Sequence, residues 1–321
     1  MSINIVYLPY RRLHYSETFI KLLGQIKNKE SIHITVCGSN QHRVECRKVA
    51  DQANALGISA EPFHVMTGWT NYMDKLKGAI NSDYEYSIKI DEDIFLNPQT
   101  WDFWLENLHM LNDRNVILAP ILSNGIPTCD NFIYNHFDPE SKQEIEKIFS
   151  RTRIPNLWGA NYSHINKLLQ ERGYESDSYY EAVANTNHFY KGIHPIRISQ
   201  DAQLYLNQWI MDNFDKFFEE RIYTVEGSSR PYFCNSAFAI RTEEWHKVLF
   251  DDSLFRDCFD EVALNNYVQQ NNKTKLFISN NFGLHTMYNT VWGEMPNDAT
   301  LLQAKEEEFF QFIKKQVNER L

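Results

Sequence analysis

Short apolar runs alternate with helical stretches through the first 120 residues. Ile3 to Leu8 (INIVYL) reads as a buried strand, stopped by Pro9, which has no N–H for a ladder. The spacing of Phe19, Leu22, Leu23 and Ile26 predicts a helix running to about Lys27, with Ser16 as its cap. Ile32 to Cys37 is a second strand, closed by Gly38-Ser39-Asn40. Val44 to Leu56 is a helix with Gly57 at its end. Ala60 to Val65, a helix over 71–81, and Tyr86 to Ile90 continue the alternation. Pro98 opens a helix through Leu111, and Val116 to Ala119 is a further strand. Such a rhythm implies a mostly parallel sheet with right-handed crossovers. Ligands on these sheets bind outside the carboxyl ends of the strands. Four points therefore share one rim: Leu8-Pro9-Tyr10-Arg11, Cys37-Gly38-Ser39, the loop near Thr67-Gly68, and Asp91-Glu92-Asp93.

From about Gly125 to Arg230 the rhythm breaks into a polar stretch rich in His, Asn and aromatics, with helices expected at 139–150, 165–172 and 201–219. Tyr232 to Arg241 reads as a strand and Thr242 to Leu249 as a helix. Asp260 to Gln270 is helical, and Lys275 to Ile278 is a strand leading to Asn281-Phe282-Gly283-Leu284-His285. Leu301 to Leu321 is an amphipathic helix of mixed charge. The organisation expected is an α/β half over 1–124, a helical, aromatic-rich insertion over 125–230, and a C-terminal part over 231–321 that completes the sheet.

The chain has 321 residues, 43% hydrophobic, which excludes wholesale disorder. Aromatics reach 14%, a level that suits carbohydrate or base contact as well as core packing. The net charge of -10 gives no global footprint for nucleic acid. Residues 1–60 nevertheless carry +4, a basic segment able to hold a small anion. The five cysteines are widely spaced with no C-x-x-C, which points to a reducing cytoplasm rather than a disulfide framework. No apolar run approaches a membrane span, so membrane contact is expected to be peripheral at most.

The sharpest feature is Ile88-Lys89-Ile90-Asp91-Glu92-Asp93-Ile94-Phe95-Leu96. Three acids at the exit of an apolar strand repel one another, and a divalent cation relieves that; hard carboxylate oxygens suit Mg²⁺ or Mn²⁺. Alternation sends Asp91 and Asp93 to one side if the strand continues. Lys89 sits within a buried strand, so it is expected to pair with an acid such as Glu92 or Asp93. There is no G-x-x-x-x-G-K-[ST], G-x-G-x-x-G, H-E-x-x-H or G-x-S-x-G.

The segment Tyr86 to Leu96 resembles the D-x-D strand of GT-A-fold glycosyltransferases, including the K-x-D-x-D-x-F form of some β-1,3-type families. Tyr232 to Arg241, followed by a helix carrying Trp245, looks like their acceptor-side strand. Asp260-Glu261 resembles their acidic pair at a helix start, and His285 their C-terminal metal histidine. The resemblance covers residues 1–120 and 230–290. It implies a GT-A-like α/β fold and transfer from a nucleotide sugar, UDP-linked by expectation, to a saccharide or other hydroxyl. It implies Mn²⁺ or Mg²⁺ held by Asp93 and His285, with Asp91 as a further ligand, a water-mediated one, or a ribose contact. Glu261 or Asp260 would be the base of an inverting reaction. Leu8, Pro9, Tyr10, Arg11, Gly38 and Lys75 would face the nucleotide. Two alternatives stay open: sugar transfer to a DNA base, for which Arg151, Arg153, Lys167, Arg172, Lys191 and Arg197 offer a basic strip, and metal-dependent nucleotidyl or phosphoryl transfer on a similar sheet.

Overall fold

The apolar runs pair as right-handed crossovers require. In the computed structural model, β1 (Ile3–Leu8), β2 (Ile32–Ser39), β3 (Ser59–Val65) and β4 (Tyr86–Asp91) lie parallel in the spatial order β3-β2-β1-β4. The structure describes residues 2–9, 12–65, 72–123, 132–133, 135–151, 200–218, 220–226, 235–254, 260–286 and 299–320. The sheet continues through β8 (Ala237–Arg241), β6 (Asn115–Leu122), β9 (Thr274–His285) and the short β5 (Ile94–Phe95), while β7 (Ile222–Glu226) lines the other side of β9. Strand β8 runs against β4 and β6, and β5 and β7 run against β9. The other six strands share one direction, so the sheet is mixed α/β and mostly parallel, as expected.

Alternation along each strand splits the core in two. Ile3, Ile5 and Tyr7 face one layer with Tyr86, Ile88 and Ile90. Val6 and Leu8 face the other. On the first face lie α2 (Arg43–Ala55), through Cys46, Val49 and Ala50, and α4 (Pro98–Glu106), through Trp101 and Trp104. On the second lie α3 (Tyr72–Ala79), α5 (Pro139–Arg151), α6 (Gln200–Asp212), α7 (Thr242–Leu249), α8 (Asp260–Gln270) and α9 (Ala299–Arg320). Helix α1 (Leu13–Leu23) contributes Phe19 and Ile20 to the first layer and Tyr15 and Leu22 to the second. Among the described residues many aromatics are core, and Trp101, Trp104 and Trp245 are fully buried.

Several elements depart from expectation. Ser16 lies inside α1, where its hydroxyl is 2.9 Å from the buried Tyr7 hydroxyl. A partner for that phenol outweighs a cap on an exposed helix end. Helix α4 stops at Glu106, where Asn107 turns its amide back onto the Phe103 carbonyl. Strand β7 was not anticipated, because it falls where the apolar rhythm breaks. Strand β9 is much longer than the four residues expected. The polar Ser279-Asn280-Asn281 hides it, yet all three are buried in a register irregularity between Ile278 and Gly283. The helix expected at 165–172 lies outside the described residues, as do Cys129, Cys234 and Cys258; Cys37 and Cys46 are free and buried. Among the described residues no helix is long and apolar enough to cross a membrane.

Lys275 on β9 is 3% exposed and donates to Asn265 Oδ1 at 2.8 Å. Burial lowers its pKa to about 8. The unfolded chain therefore binds this proton more tightly than the folded one between that value and the ordinary lysine range, and stability gains from this group as pH rises through the window. Urea unfolding of the wild type and Lys275→Met from pH 7 to 10.5 is expected to show the wild type gaining on the variant by up to about 3 kcal/mol. Parallel curves would contradict it.

Candidate functional site

The strand order reverses between β1 and β4, and the register sets Leu8 opposite Asp91 at that switch point. Crevices of this kind form the ligand sites of open α/β sheets, because the flanking crossovers leave to opposite faces. At this rim the chain does not continue as a strand. Glu92 and Asp93 form a turn, and β5 resumes at Ile94. The turn separates the three acids that simple alternation would have arranged on two faces.

The three acids find different partners. Lys89, 1% exposed, reaches Asp91 Oδ1 at 2.8 Å and the Asn235 carbonyl at 2.6 Å. The lysine thus pairs with Asp91 rather than with Glu92 or Asp93, since residues two apart on a strand share a face. Glu92 accepts the backbone N–H of Arg12 at 2.9 Å. Asp93 Oδ2 lies 3.5 Å from the Arg12 guanidinium, whose Nε also contacts Glu306 Oε1 of α9 at 2.5 Å.

Asp93 Oδ1 also lies 3.5 Å from His285 Nε2. Residues 192 positions apart meet because β5 and β9 pair antiparallel, with Ile94 opposite His285 and the Thr286 N–H bonded to the Asp93 carbonyl at 3.0 Å. Gly283 makes that approach feasible: a Cβ there would sit 2.7 Å from both Leu96 and Leu122. The Ser123 hydroxyl accepts the His285 N–H at 3.2 Å and fixes the strand end. Both functional side chains are nearly buried. Burial pushes the Asp93 carboxyl up, but His285 and Arg12 outweigh it and hold the group below its ordinary value. Glu306 behaves oppositely: burial, with Asp93 beyond the arginine, lifts it in spite of Arg12. Among the described contacts one guanidinium is shared by Glu92, Asp93 and Glu306.

Asp93 and His285 offer two donors of a kind that suits a divalent cation. Two ligand atoms about 2.1 Å from one ion and at right angles lie about 3.0 Å apart, close to the Asp93–His285 spacing. Carboxylate oxygen and imidazole nitrogen both suit Mn²⁺. Among the described residues no three His, Cys, Asp or Glu side chains converge as a ligand set, and Asp91 is turned toward Lys89.

The other sequence candidates fall in different places. Leu8 and Pro9 are buried, so they form the floor of the rim rather than a stacking face. Tyr10 and Arg11 lie outside the described residues. At Gly38 the space of a Cβ is filled by Cys46 Sγ at 2.2 Å, so packing of α2 is what demands glycine there. Lys75, half-buried on α3, presents its carbonyl to Cys37 Sγ at 3.6 Å, beside the end of β2. Asp260 and Glu261 open α8, with their side chains outside the described part. Sequence reasoning missed Arg12 and Glu306. The adjacent Arg11 attracted the nucleotide assignment, and no local signal ties α9 to β4. Two described cavities, of about 520 Å³ beside Tyr84, Arg241 and His246 and about 260 Å³ between α1 and α2, lie elsewhere.

No family profile matches the chain, and no curated protein matches its sequence. Solved structures similar to it include a 4-diphosphocytidyl-2C-methyl-D-erythritol synthase from Anaerococcus prevotii (7% identity, 95% of this chain, 96% of that one, TM-score 0.46). A second is the galactosyltransferase LgtC with donor and acceptor sugar analogues (11%, 97% and 95%, TM-score 0.39). A third is S. aureus TarS residues 1–349 with UDP-GlcNAc (14%, 38% of this chain, TM-score 0.29), of which the alignment spans 34%, about a third of its length. The functional reading rests on the rim geometry instead.

Asp91→Asn is expected to destabilise the fold by about 2–3 kcal/mol in urea, because it takes the counter-charge from the buried Lys89 ammonium and leaves it the Asn235 carbonyl among its contacts. The double variant Asp91→Asn/Lys89→Met should recover much of that loss. Equal losses in single and double variants would contradict the pairing.

Proposed function

We propose that the protein is a GT-A-like glycosyltransferase that moves a sugar from a nucleoside diphosphate donor, UDP-linked, to a hydroxyl of a saccharide acceptor. The single observation carrying this reading is the contact of Asp93 with His285 at the β1/β4 switch point, brought about by the β5–β9 pairing. Asp93 and His285 would hold Mn²⁺ or Mg²⁺. The bound cation supplies Lewis-acid neutralisation of the diphosphate as it leaves. Asp91, tied to Lys89 and one-third exposed, faces the rim as the ribose contact or a water-mediated ligand. Lys75, beside the end of β2, reaches toward the nucleotide. Glu261, or Asp260 beside it, takes the proton from the acceptor hydroxyl as that oxygen attacks the anomeric carbon, which is the requirement of an inverting transfer. The same carboxylates serve a nucleotidyl transferase, which would release pyrophosphate instead of a nucleoside diphosphate.

A thermal-shift screen of nucleotide sugars with Mn²⁺ is expected to yield a UDP-sugar that raises the melting temperature by about 5 °C at saturating ligand. The shift should vanish with chelator and in Asp93→Ala. A nucleotide-sugar shift that survives both would contradict the metal role. Turnover that releases pyrophosphate would contradict glycosyl transfer.

A further inference from the structure

Arg12 is the residue the functional reading leaves unused, and its surroundings are unusual. It leads into α1, directly after the rim loop of β1. Its backbone N–H is held by Glu92, and its guanidinium lies between Asp93 and Glu306, at 3.5 and 2.5 Å. The Arg12 side chain is 24% exposed, more than either Asp93 or Glu306. Glu306 is fixed from the far end of the chain. Helix α9 docks on α1 through Phe310, which stacks on Tyr15 at 4.4 Å and meets His14 edge-on at 5.0 Å. The Tyr15 hydroxyl donates to Glu306 at 3.4 Å.

A divalent ion bound at Asp93 and His285 would share the Asp93 carboxylate with a guanidinium already beside its other oxygen. Two cations on one carboxylate repel, and the arrangement becomes favourable only when an anion lies between them. A diphosphate bridging the ion is that anion, and a guanidinium suits phosphate through its fork of donors. From this geometry we infer that Arg12 is a diphosphate-binding residue, which trades its contact with Asp93 for the donor's phosphates against the competing hold of Glu306 of α9. The inference deepens the reading above and rests on it. It adds a residue at the start of α1 and a function for the C-terminal helix.

Opposite effects on two ligands test it by calorimetry: Mn²⁺ alone, and UDP in saturating Mn²⁺. Arg12→Gln removes a competing charge from Asp93, so Mn²⁺ alone should bind about threefold more tightly or better. UDP should bind at least about tenfold more weakly, the loss of one charge-assisted contact. Glu306→Gln is the mirror variant: UDP should bind more tightly, because the guanidinium is freer, and Mn²⁺ no more tightly. Structural damage would weaken both ligands together, and that result overturns the inference, as does unchanged UDP affinity in Arg12→Gln. If Arg12→Gln does not fold, Glu306→Gln decides: tighter UDP supports the role, and unchanged or weaker UDP overturns it. A wild type that binds neither ligand contradicts the functional reading itself and takes this inference with it.

Discussion

The rim of the sheet is organised around a cluster of enclosed carboxylates and the basic side chains that meet them. Asp91, Glu92, Asp93 and Glu306 crowd one end of β4; among the described contacts Lys89 meets Asp91, and Arg12 meets Glu92, Asp93 and Glu306. Carboxylates this enclosed repel and resist ionisation unless positive charge is brought in. Burial raises both Asp93 and Glu306; His285 and Arg12 more than offset it at Asp93, which is held below its ordinary value, whereas Glu306, in contact with Arg12 but also near Asp93, stays above its own.

The fold serves that arrangement at several scales. Parallel pairing of β1 with β4 creates the crevice, and the break of β4 into a turn lifts Asp93 out of register with Asp91. The short β5 then hands Asp93 to β9, whose register irregularity and Gly283 let His285 arrive opposite Ile94. Loss of any one step would leave Asp93 facing the arginine alone.

Much of this was legible in the sequence because it depends on local pattern. The strands β1 to β4 are apolar runs bounded by Pro9, Gly38 and the acids, and periodicity exposes such runs directly. The Asp93–His285 pair was legible through ordered motifs. What escaped depends on long-range pairing. Strand β5 has two residues and carries no period, and β9 hides its polar half inside the core. Lys89 chose Asp91 because the strand ends before Glu92, a boundary no propensity fixes. Arg12 was overlooked because its link to Glu306 depends on the docking of α9, from the far end of the chain. Gly38 looked like a ligand approach and serves helix packing.

Anomalous diffraction from crystals of the protein grown with Mn²⁺ and UDP tests the central claim most directly. The account predicts one manganese peak within about 2.4 Å of both Asp93 and His285, with the diphosphate on its open side. Density for UDP with no manganese at Asp93, or a manganese peak bound by other residues, would contradict it.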